Sequence, residues 1–305
     1  MILIIRKGLR IASLATALAV GACAPAVSDG SGVHIVATTG ILGDVVAQLV
    51  PEEHVEVLIP AGADPHEFRA SPRQAELIAG ADLVVANGLG LEEGLSDLLA
   101  AQATPVLDAG CYADPLPLPG EDPQPCAQGN DGRLDPHFWL DPLRMGLVVE
   151  EIAARLSSFD AGAVSRAAAY TSELEAVHDA ISRRLAALPS SSRRVVTNHD
   201  FLRYLAARYS LEVVGAVTPG GSTLSEPSAS HLAELVELID LYQIGQIFVE
   251  ITEPARLAGV VAQEADHPVE LVELYVESLG EAGSGADTYL GLLRTNLDRI
   301  VEALT

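Results

Sequence analysis

Two series of alternating strand and helix patterns, separated by one long helical stretch, constrain the fold of this chain most. Short apolar runs bounded by turn residues alternate with helical repeats, which is typical of βαβ units and a parallel sheet. The predicted strands are His34 to Ala37, Val55 to Ile59, Leu83 to Ala86, Pro105 to Leu107, Arg194 to Thr197, Glu212 to Val214, Gln246 to Val249 and Val269 to Leu274. The predicted helices around them are Ile41 to Leu49, Pro72 to Ala79, Leu91 to Ala101, Phe201 to Arg208, Pro227 to Leu241, Pro254 to Ala265 and Ala286 to Ala303. The sequence therefore predicts an α/β protein with two small parallel-sheet lobes.

The centre of the chain is nearly continuous helix. Helical patterns cover Pro142 to Leu156 and Ala161 to Leu188, and Asp160 is placed to cap the second of them. At 1.5 Å per residue the second helix would be about 42 Å long, so we expect a rigid helix joining two lobes across a cleft. The predicted boundaries are an N-terminal lobe at 33–158, a connecting helix at 159–188 and a C-terminal lobe at 189–305.

The first 32 residues have the pattern of an export signal. Three basic residues precede the apolar run Ile11 to Val20, which is shorter than the roughly 20 residues that span a bilayer. Small residues then lead to Cys23, an arrangement similar to a bacterial lipoprotein signal in which this cysteine carries the lipid; ordinary secretion is the alternative. We expect residues 1–22 to be removed and residues 23–32 to form a flexible tether. The mature protein is thus predicted to be extracytoplasmic and lipid-anchored to the bacterial cell membrane.

Charge and cysteine content bear on partners and compartment. The formal net charge is −24, which repels nucleic acid and attracts cations diffusely without identifying a site. With Cys23 assigned to the lipid, Cys111 and Cys126 remain. In an oxidising compartment we expect them to form a disulfide that closes the proline-rich loop between them. A cysteine metal site is the alternative, which the lack of a CxxC motif disfavours.

Three histidines lie in segments that look like loops leaving strands. The tripeptide Asp-Pro-His occurs twice, ending at His66 and His137, and His199 directly follows the run Arg194 to Asn198. Imidazole is a common zinc ligand, and open α/β folds bind ligands beyond the carboxyl ends of their strands. One loop histidine is usually just solvated, but three in equivalent settings predict a metal site. Glu277, just after the last predicted strand, is the best candidate for a fourth ligand, with a surface role as its alternative.

Several motifs occur together between about residue 33 and the end of the chain. They are Gly62 to Phe68, Asp135 to Pro142, Asn198 to Asp200 with Tyr204, Ser222 to Ser228, Phe248 to Glu250, and Asp287 to Leu290 with Asn296. With this combination the chain resembles the metal-binding receptors of zinc and manganese ABC importers, the cluster A-I solute-binding lipoproteins.

The resemblance implies two lobes joined by a rigid helix, with one metal ion in the cleft. It implies His66, His137, His199 and Glu277 as the ligands; the family's carboxylate is most often aspartate, so Glu277 is a departure. Imidazole at the third position suits zinc, whereas a carboxylate there would shift the site toward manganese. Zinc is therefore the expected ion and manganese the alternative. Many zinc receptors of the family carry a His-rich loop before the second ligand, but the segment 112–133 contains no histidine.

The function that the resemblance implies is high-affinity capture of Zn²⁺ and its delivery to the permease of an ABC importer. We expect a monomer that contacts the membrane through its lipid anchor and binds no nucleic acid. A zinc chaperone or adhesin with the same fold is the alternative. A zinc hydrolase is disfavoured, because no HExxH or GxSxG motif and no evident general base accompany the histidines. The acidic residues near enough in sequence to orient the rings, or else to cap loops, are Asp64, Asp135, Asp141 and Glu250.

Overall fold

Two four-stranded parallel sheets form the framework of the protein in a computed structural model that describes residues 32–122, 125–126 and 133–305. The first sheet has the order β2-β1-β3-β4, with β1 at Ile35–Ala37, β2 at Val55–Val57, β3 at Leu83–Ala86 and β4 at Val106–Asp108. The second has the order β6-β5-β7-β8, with β5 at Arg194–Thr197, β6 at Glu212–Ala216, β7 at Gln246–Glu250 and β8 at Glu270–Leu274. Both sheets therefore have the same strand order, and all their strand pairs are parallel.

Helices surround the sheets and connect their strands. In the first lobe they are α1 at Gly40–Ala47, α2 at Pro72–Gly80 and α3 at Ser96–Ala100, followed by α4 at Pro142–Leu156 and α5 at Ala163–Ala186. In the second they are α6 at Arg203–Tyr209, α7 at Ala229–Tyr242, α8 at Arg256–Glu264 and α9 at Tyr289–Ala303. The inner strands β3 and β7 are buried at every residue, as expected for parallel strands covered on both faces. The predicted α/β class with two parallel-sheet lobes is confirmed.

The predicted long helix is present as α5, but it is shorter than predicted. It has 24 residues, about 36 Å at 1.5 Å per residue, and it buries a stripe that includes Leu174, Val177 and Ile181. The predicted cap was wrong, because the N-cap residue of α5 is Gly162, which has no side chain to cap the helix. Asp160 lies ahead of the helix and accepts the backbone N–H of Gly162 at 2.8 Å. The chain makes a turn before α5 starts, so the helix loses its predicted first residues.

The predicted helix Leu91 to Ala101 is only partly formed. A 3-10 turn at Glu93–Leu95 precedes the short helix α3. Just before the turn, the Glu92 carboxylate folds back and accepts the backbone N–H groups of Asn87 at 2.8 Å and Gly88 at 3.1 Å. These bonds hold the segment against the end of β3, and the regular helix begins only at Ser96.

One apolar core runs through both lobes. It includes Ile35 from β1, Val149 from α4, Val195 from β5 and Leu293 from α9. The last helix also contacts the first lobe, because Tyr289 donates its N–H to Asp44 Oδ2 at 3.0 Å and its hydroxyl to the Trp139 carbonyl. The lobes are therefore joined by shared packing as well as by α5. The exact lobe boundaries given above stay predictions.

The loop between β4 and α4 is closed by a disulfide. Cys111 and Cys126 are bonded, with their Cα atoms 5.3 Å apart, which confirms the predicted pair. The loop rests on α6, where the Tyr204 hydroxyl accepts the N–H of Leu116 at 2.9 Å and donates to the Asp135 carbonyl at 2.6 Å. The disulfide-closed loop thus lies against the segment that leads to His137.

The export signal and Cys23 lie outside the described residues. Within the residues that the structure describes, none of the helices combines the length and the apolar character that crossing a membrane requires.

Asp108, at the end of β4, carries a destabilising charge. Its Oδ1 is buried without a hydrogen-bond partner among the described residues. Burial, together with the nearby Glu92, raises the pKa of Asp108 from 3.8 to about 6. The folded state then binds the proton more tightly than the unfolded state does. The stabilisation that protonated Asp108 gives the folded state is complete below about pH 3.8 and is lost as the pH rises to about 6.

We therefore expect Asp108→Asn to stabilise the metal-free protein at pH 7.5 and to have almost no effect at pH 4. The expected gain at pH 7.5 is about 1–3 kcal/mol in the free energy of unfolding, since one pKa unit corresponds to about 1.4 kcal/mol. Denaturant titrations at the two pH values measure it. Asp97→Asn, which changes an exposed carboxylate, is the control, and an equal gain at both pH values would contradict the assignment.

Candidate metal centre

Four buried side chains converge between the two lobes. They are His66, His137, His199 and Glu277, and one nitrogen or oxygen atom from each lies within 4.8 Å of all the others. Their side chains are 0% exposed. His66 follows β2, His137 lies before α4, His199 follows β5 and Glu277 follows β8. The structure thus brings together the four side chains that the sequence singles out; that they are metal ligands stays a prediction.

The spacing of the donor atoms suits one small ion. Glu277 Oε1 lies 3.0 Å from His137 Nε2, 3.2 Å from His199 Nε2 and 3.7 Å from His66 Nε2. The Nε2 atoms of His137 and His199 are 3.3 Å apart. Ligands at the usual zinc distance of about 2.0–2.1 Å lie roughly 3.4 Å apart in a tetrahedron. The four measured separations, from 3.0 to 3.7 Å, are therefore close to the spacing of ligands around one zinc ion.

The repeated Asp-Pro-His sequence is also a repeated turn. Asp64 Oδ1 accepts the backbone N–H of His66 at 2.8 Å, and Asp135 Oδ1 accepts that of His137 at 3.0 Å. Aspartate commonly bonds a backbone group two residues ahead in this way, while proline restricts the chain between them. The same local chemistry therefore fixes the start of both histidine loops.

The rings of two histidines are held from behind by carboxylates. Asp135 Oδ1 accepts from Nδ1 of His137 at 2.8 Å, and Glu253 Oε2 lies 3.2 Å from Nδ1 of His199. Neither ring nitrogen of His66 has a hydrogen-bond partner in the described part of the chain. All three Nε2 atoms nevertheless face Glu277. Sequence reasoning missed Glu253, because nothing in its position marks it out in a chain rich in carboxylates.

The other acidic residues singled out from the sequence have different contacts. Asp64 also accepts the hydroxyl of Thr223 at 2.7 Å. Asp141 caps α4 by accepting the N–H of Leu143 at 3.1 Å. Glu250 accepts the backbone N–H of Glu277 at 3.2 Å. Among the four candidates, only Asp135 contacts a ring of the site.

Opposite charges inside the site shift its pKa values strongly. Burial alone would lower the pKa of His137, but the carboxylates of Glu277 and Asp135 outweigh burial and raise it to about 10. Burial likewise acts to lower the pKa of His199, but the carboxylates of Glu253 and Glu277 outweigh it and raise the pKa to about 9. Burial acts to raise the pKa of Glu277, but the imidazoles hold it well below its usual value. Protons therefore compete with a cation for these nitrogens, and binding a cation would release them.

The donor set favours holding an ion rather than using it for catalysis. A catalytic zinc site keeps one position open for water or substrate, whereas four protein donors close a tetrahedral site. Glu277 Oε2 is buried and has no partner in the described ranges, so the carboxylate can offer one oxygen or both. The four side chains together offer three imidazole nitrogens and one carboxylate.

Hydrogen bonds between the lobes cover the site. Thr223 donates to Asp64 at 2.7 Å, and Ser222 donates to Glu93 Oε1 at 2.8 Å. On the other side, the N–H of Gly62 donates to Ser278 Oγ at 2.8 Å. These contacts join loops of one lobe to loops of the other, so that the four donors are closed off from solvent.

The chain is similar to known metal-binding proteins over almost its whole length. A family model described as the periplasmic component A of a zinc-uptake complex, ZnuA, matches residues 35–303. The manganese-binding lipoprotein MntA of Halalkalibacterium halodurans is 30% identical over 290 residues, which cover 91% of this chain and 90% of that protein. The zinc-binding protein TroA of Treponema pallidum is 28% identical over 288 residues, covering 92% and 91% of the two chains. A solved structure of the periplasmic zinc-binding TroA from Treponema pallidum superposes with a TM-score of 0.78 at 27% identity, over 89% of this chain and 98% of that one.

Proposed function

The chain belongs to the ZnuA family of periplasmic metal-uptake receptors, and we propose that within it this protein captures Zn²⁺ and passes it to the permease of an ABC importer. Members of this family are the solute-binding components of metal ABC transporters and not enzymes. The permease is thus implied as a partner by the family. The choice of zinc and the four ligands are our proposal.

The donor set carries the choice of zinc. His66, His137 and His199 supply three nitrogens and Glu277 supplies oxygen; all four side chains are fully buried, and their donor atoms lie within 4.8 Å of one another. Imidazole-rich sets suit zinc, while manganese prefers sites dominated by carboxylate, carbonyl and water oxygens. The named relatives include a manganese-binding lipoprotein and a zinc-binding protein, so kinship alone favours neither ion. His199 is the residue that supports zinc, since it adds a third imidazole.

Attachment to the membrane is the second part of the proposal. The lipoprotein pattern that ends at Cys23 supports a lipid anchor on the outer face of the bacterial cell membrane. Relatives carry the name lipoprotein as well. An anchored receptor with residues 23–32 as a tether would stay close to its permease.

Growth under metal limitation tests the proposed function. We expect bacteria that lack this chain to stop growing in medium depleted of zinc by a chelator, and to recover when zinc is added. Protein purified from the parent bacteria, which contain this chain, is expected to hold about one zinc per chain, because the four donors form one site. Recovery with manganese, or purified protein carrying mainly manganese, would contradict the choice of zinc. Complementation with a Glu264→Gln variant, which changes an exposed carboxylate on α8, serves as the control.

A further inference from the structure

Glu253 is not one of the four candidate ligands, but its carboxylate contacts the far side of the His199 ring. Its Oε2 is 3.2 Å from Nδ1 of His199, on the side of the ring away from Glu277. The His199 side chain is 0% exposed, whereas that of Glu253 is 19% exposed. Glu253 therefore reaches from the edge of the cleft to a fully buried ring.

The surrounding hydrogen bonds hold Glu253 in this position. Asn198, at the end of β5, donates its side-chain amide to the same Oε2 atom and accepts the N–H of Glu250 at 3.1 Å through Oδ1. The backbone N–H of Glu253 donates to the Glu250 carbonyl at 3.4 Å, which closes a turn after β7. Asn198 thus connects the ends of two neighbouring strands and fixes the carboxylate beside the ring.

The arrangement in the second lobe matches one in the first. Asp135 accepts from Nδ1 of His137 at 2.8 Å, and Nε2 of that ring faces Glu277. An acceptor at Nδ1 fixes the tautomer in which Nε2 has the free lone pair, and it also sets the direction of the ring. Each lobe therefore contributes one imidazole with a carboxylate behind it, although the two carboxylates come from unrelated sequence positions.

We propose that Glu253 is a positioning residue for the metal site, which holds His199 by its Nδ1–H so that Nε2 points at the ion. This inference rests on the proposed function, because it assigns a role in cation binding. Glu253 acts through His199 and touches no ion itself. The contact, rather than the nearby negative charge, is what orients the ring.

Four variants separate the contact from the charge. Glu253→Ala removes both, Glu253→Asp keeps the charge but withdraws the carboxylate by one methylene, and Glu253→Gln keeps a hydrogen-bond acceptor without the charge. Glu264→Gln removes a charge from an exposed position on α8 and is the matched control. Zinc affinity is measured by competition with a chelating dye, and the imidazole N–H groups are followed by proton–nitrogen NMR of the zinc-loaded proteins.

We expect Glu253→Ala and Glu253→Asp to bind zinc about 10- to 100-fold more weakly than the wild type, as is usual when the partner of a metal-bound histidine is lost. Both should lose the slowly exchanging Nδ1–H signal of His199 and keep that of His137. Glu253→Gln should keep both signals and lose less affinity. The aspartate variant gives the same test if the alanine variant fails to fold.

Two outcomes would overturn the inference while leaving the proposed function intact. One is a Glu253→Ala protein that keeps the His199 signal and binds zinc as tightly as Glu264→Gln. The other is a Glu253→Asp protein that resembles the wild type while Glu253→Gln resembles the alanine variant, since the charge alone would then matter. A wild-type protein that does not bind zinc would instead refute the proposed function, and the inference with it.

Discussion

Replacing His137 with alanine is expected to reduce zinc affinity by more than about 100-fold, a larger effect than the loss of a residue that only orients a ligand. His137 Nε2 lies 3.0 Å from Glu277 Oε1 and 3.3 Å from His199 Nε2, so it is next to two of the other three donor atoms. Without it, two imidazoles and one carboxylate remain, so the ion would have three protein ligands instead of four. Titration with zinc and metal analysis after dialysis would measure the loss.

The same substitution should also destabilise the metal-free protein. Glu277 is fully buried, and among the groups that lower its pKa the His137 ring has the largest effect. Removing one partner of a buried charged pair typically costs about 3–5 kcal/mol, because the other charge is left uncompensated. His178→Ala is the matched control, since His178 lies on α5 and bonds Tyr209 at 3.0 Å, away from the site. A His137→Ala protein that binds one zinc with nearly unchanged affinity would remove this residue from the site.

Loading with zinc is expected to raise the melting temperature of the wild-type protein by about 8–16 °C. An ion that binds only the folded state at a concentration 1,000 times its Kd stabilises that state by about 4 kcal/mol. For proteins of this size each kcal/mol shifts the melting temperature by about 2–4 °C. The effect should be this large because the four ligands come from distant parts of the chain, so that the unfolded chain has no preformed site.

Thermal melts in zinc and in a chelator check this expectation. The His137→Ala protein in the same zinc concentration is the control for weak binding at the acidic surface. Its melting temperature should rise by no more than about 3–6 °C, because a 100-fold weaker Kd leaves at most about 1.4 kcal/mol of stabilisation. A rise of less than about 2 °C in the wild type, or an equal rise in the variant, would mean that zinc does not act through this site. The same melts with manganese compare the two ions directly.

Local sequence patterns predicted the elements that depend mainly on local chemistry. Leu83–Ala86, Pro142–Leu156 and Arg194–Thr197 have the bounds expected from the sequence, because apolar runs with clear turn residues or a proline at the first helical position mark their own ends. The elements whose bounds differ from the prediction are those shaped by contacts with other parts of the chain. The Glu92 carboxylate accepts two backbone N–H groups just after β3, ahead of the 3-10 turn that precedes α3, and these bonds are not visible as a pattern of hydrophobic residues.

The candidate site shows the same division. The two Asp-Pro-His turns and His199 at a strand end could be recognised because each is encoded within a few residues. Glu277 was singled out by its position just after the last predicted strand, and the resemblance to a receptor family then implied it as the fourth ligand. Glu253 could not be identified, since it reaches His199 only when the turn after β7 folds beside the end of β5. With 42 acidic residues in the chain, no local feature distinguishes it from the others.

The core that runs through both lobes has a consequence for how this chain can be divided. Leu174, Val177 and Ile181 of α5 belong to the same apolar cluster as Ile35 and Val195. A cut through the long helix would expose part of that cluster on each fragment, and the newly exposed apolar surface would favour aggregation. We therefore expect each half to be less stable alone than within the intact chain.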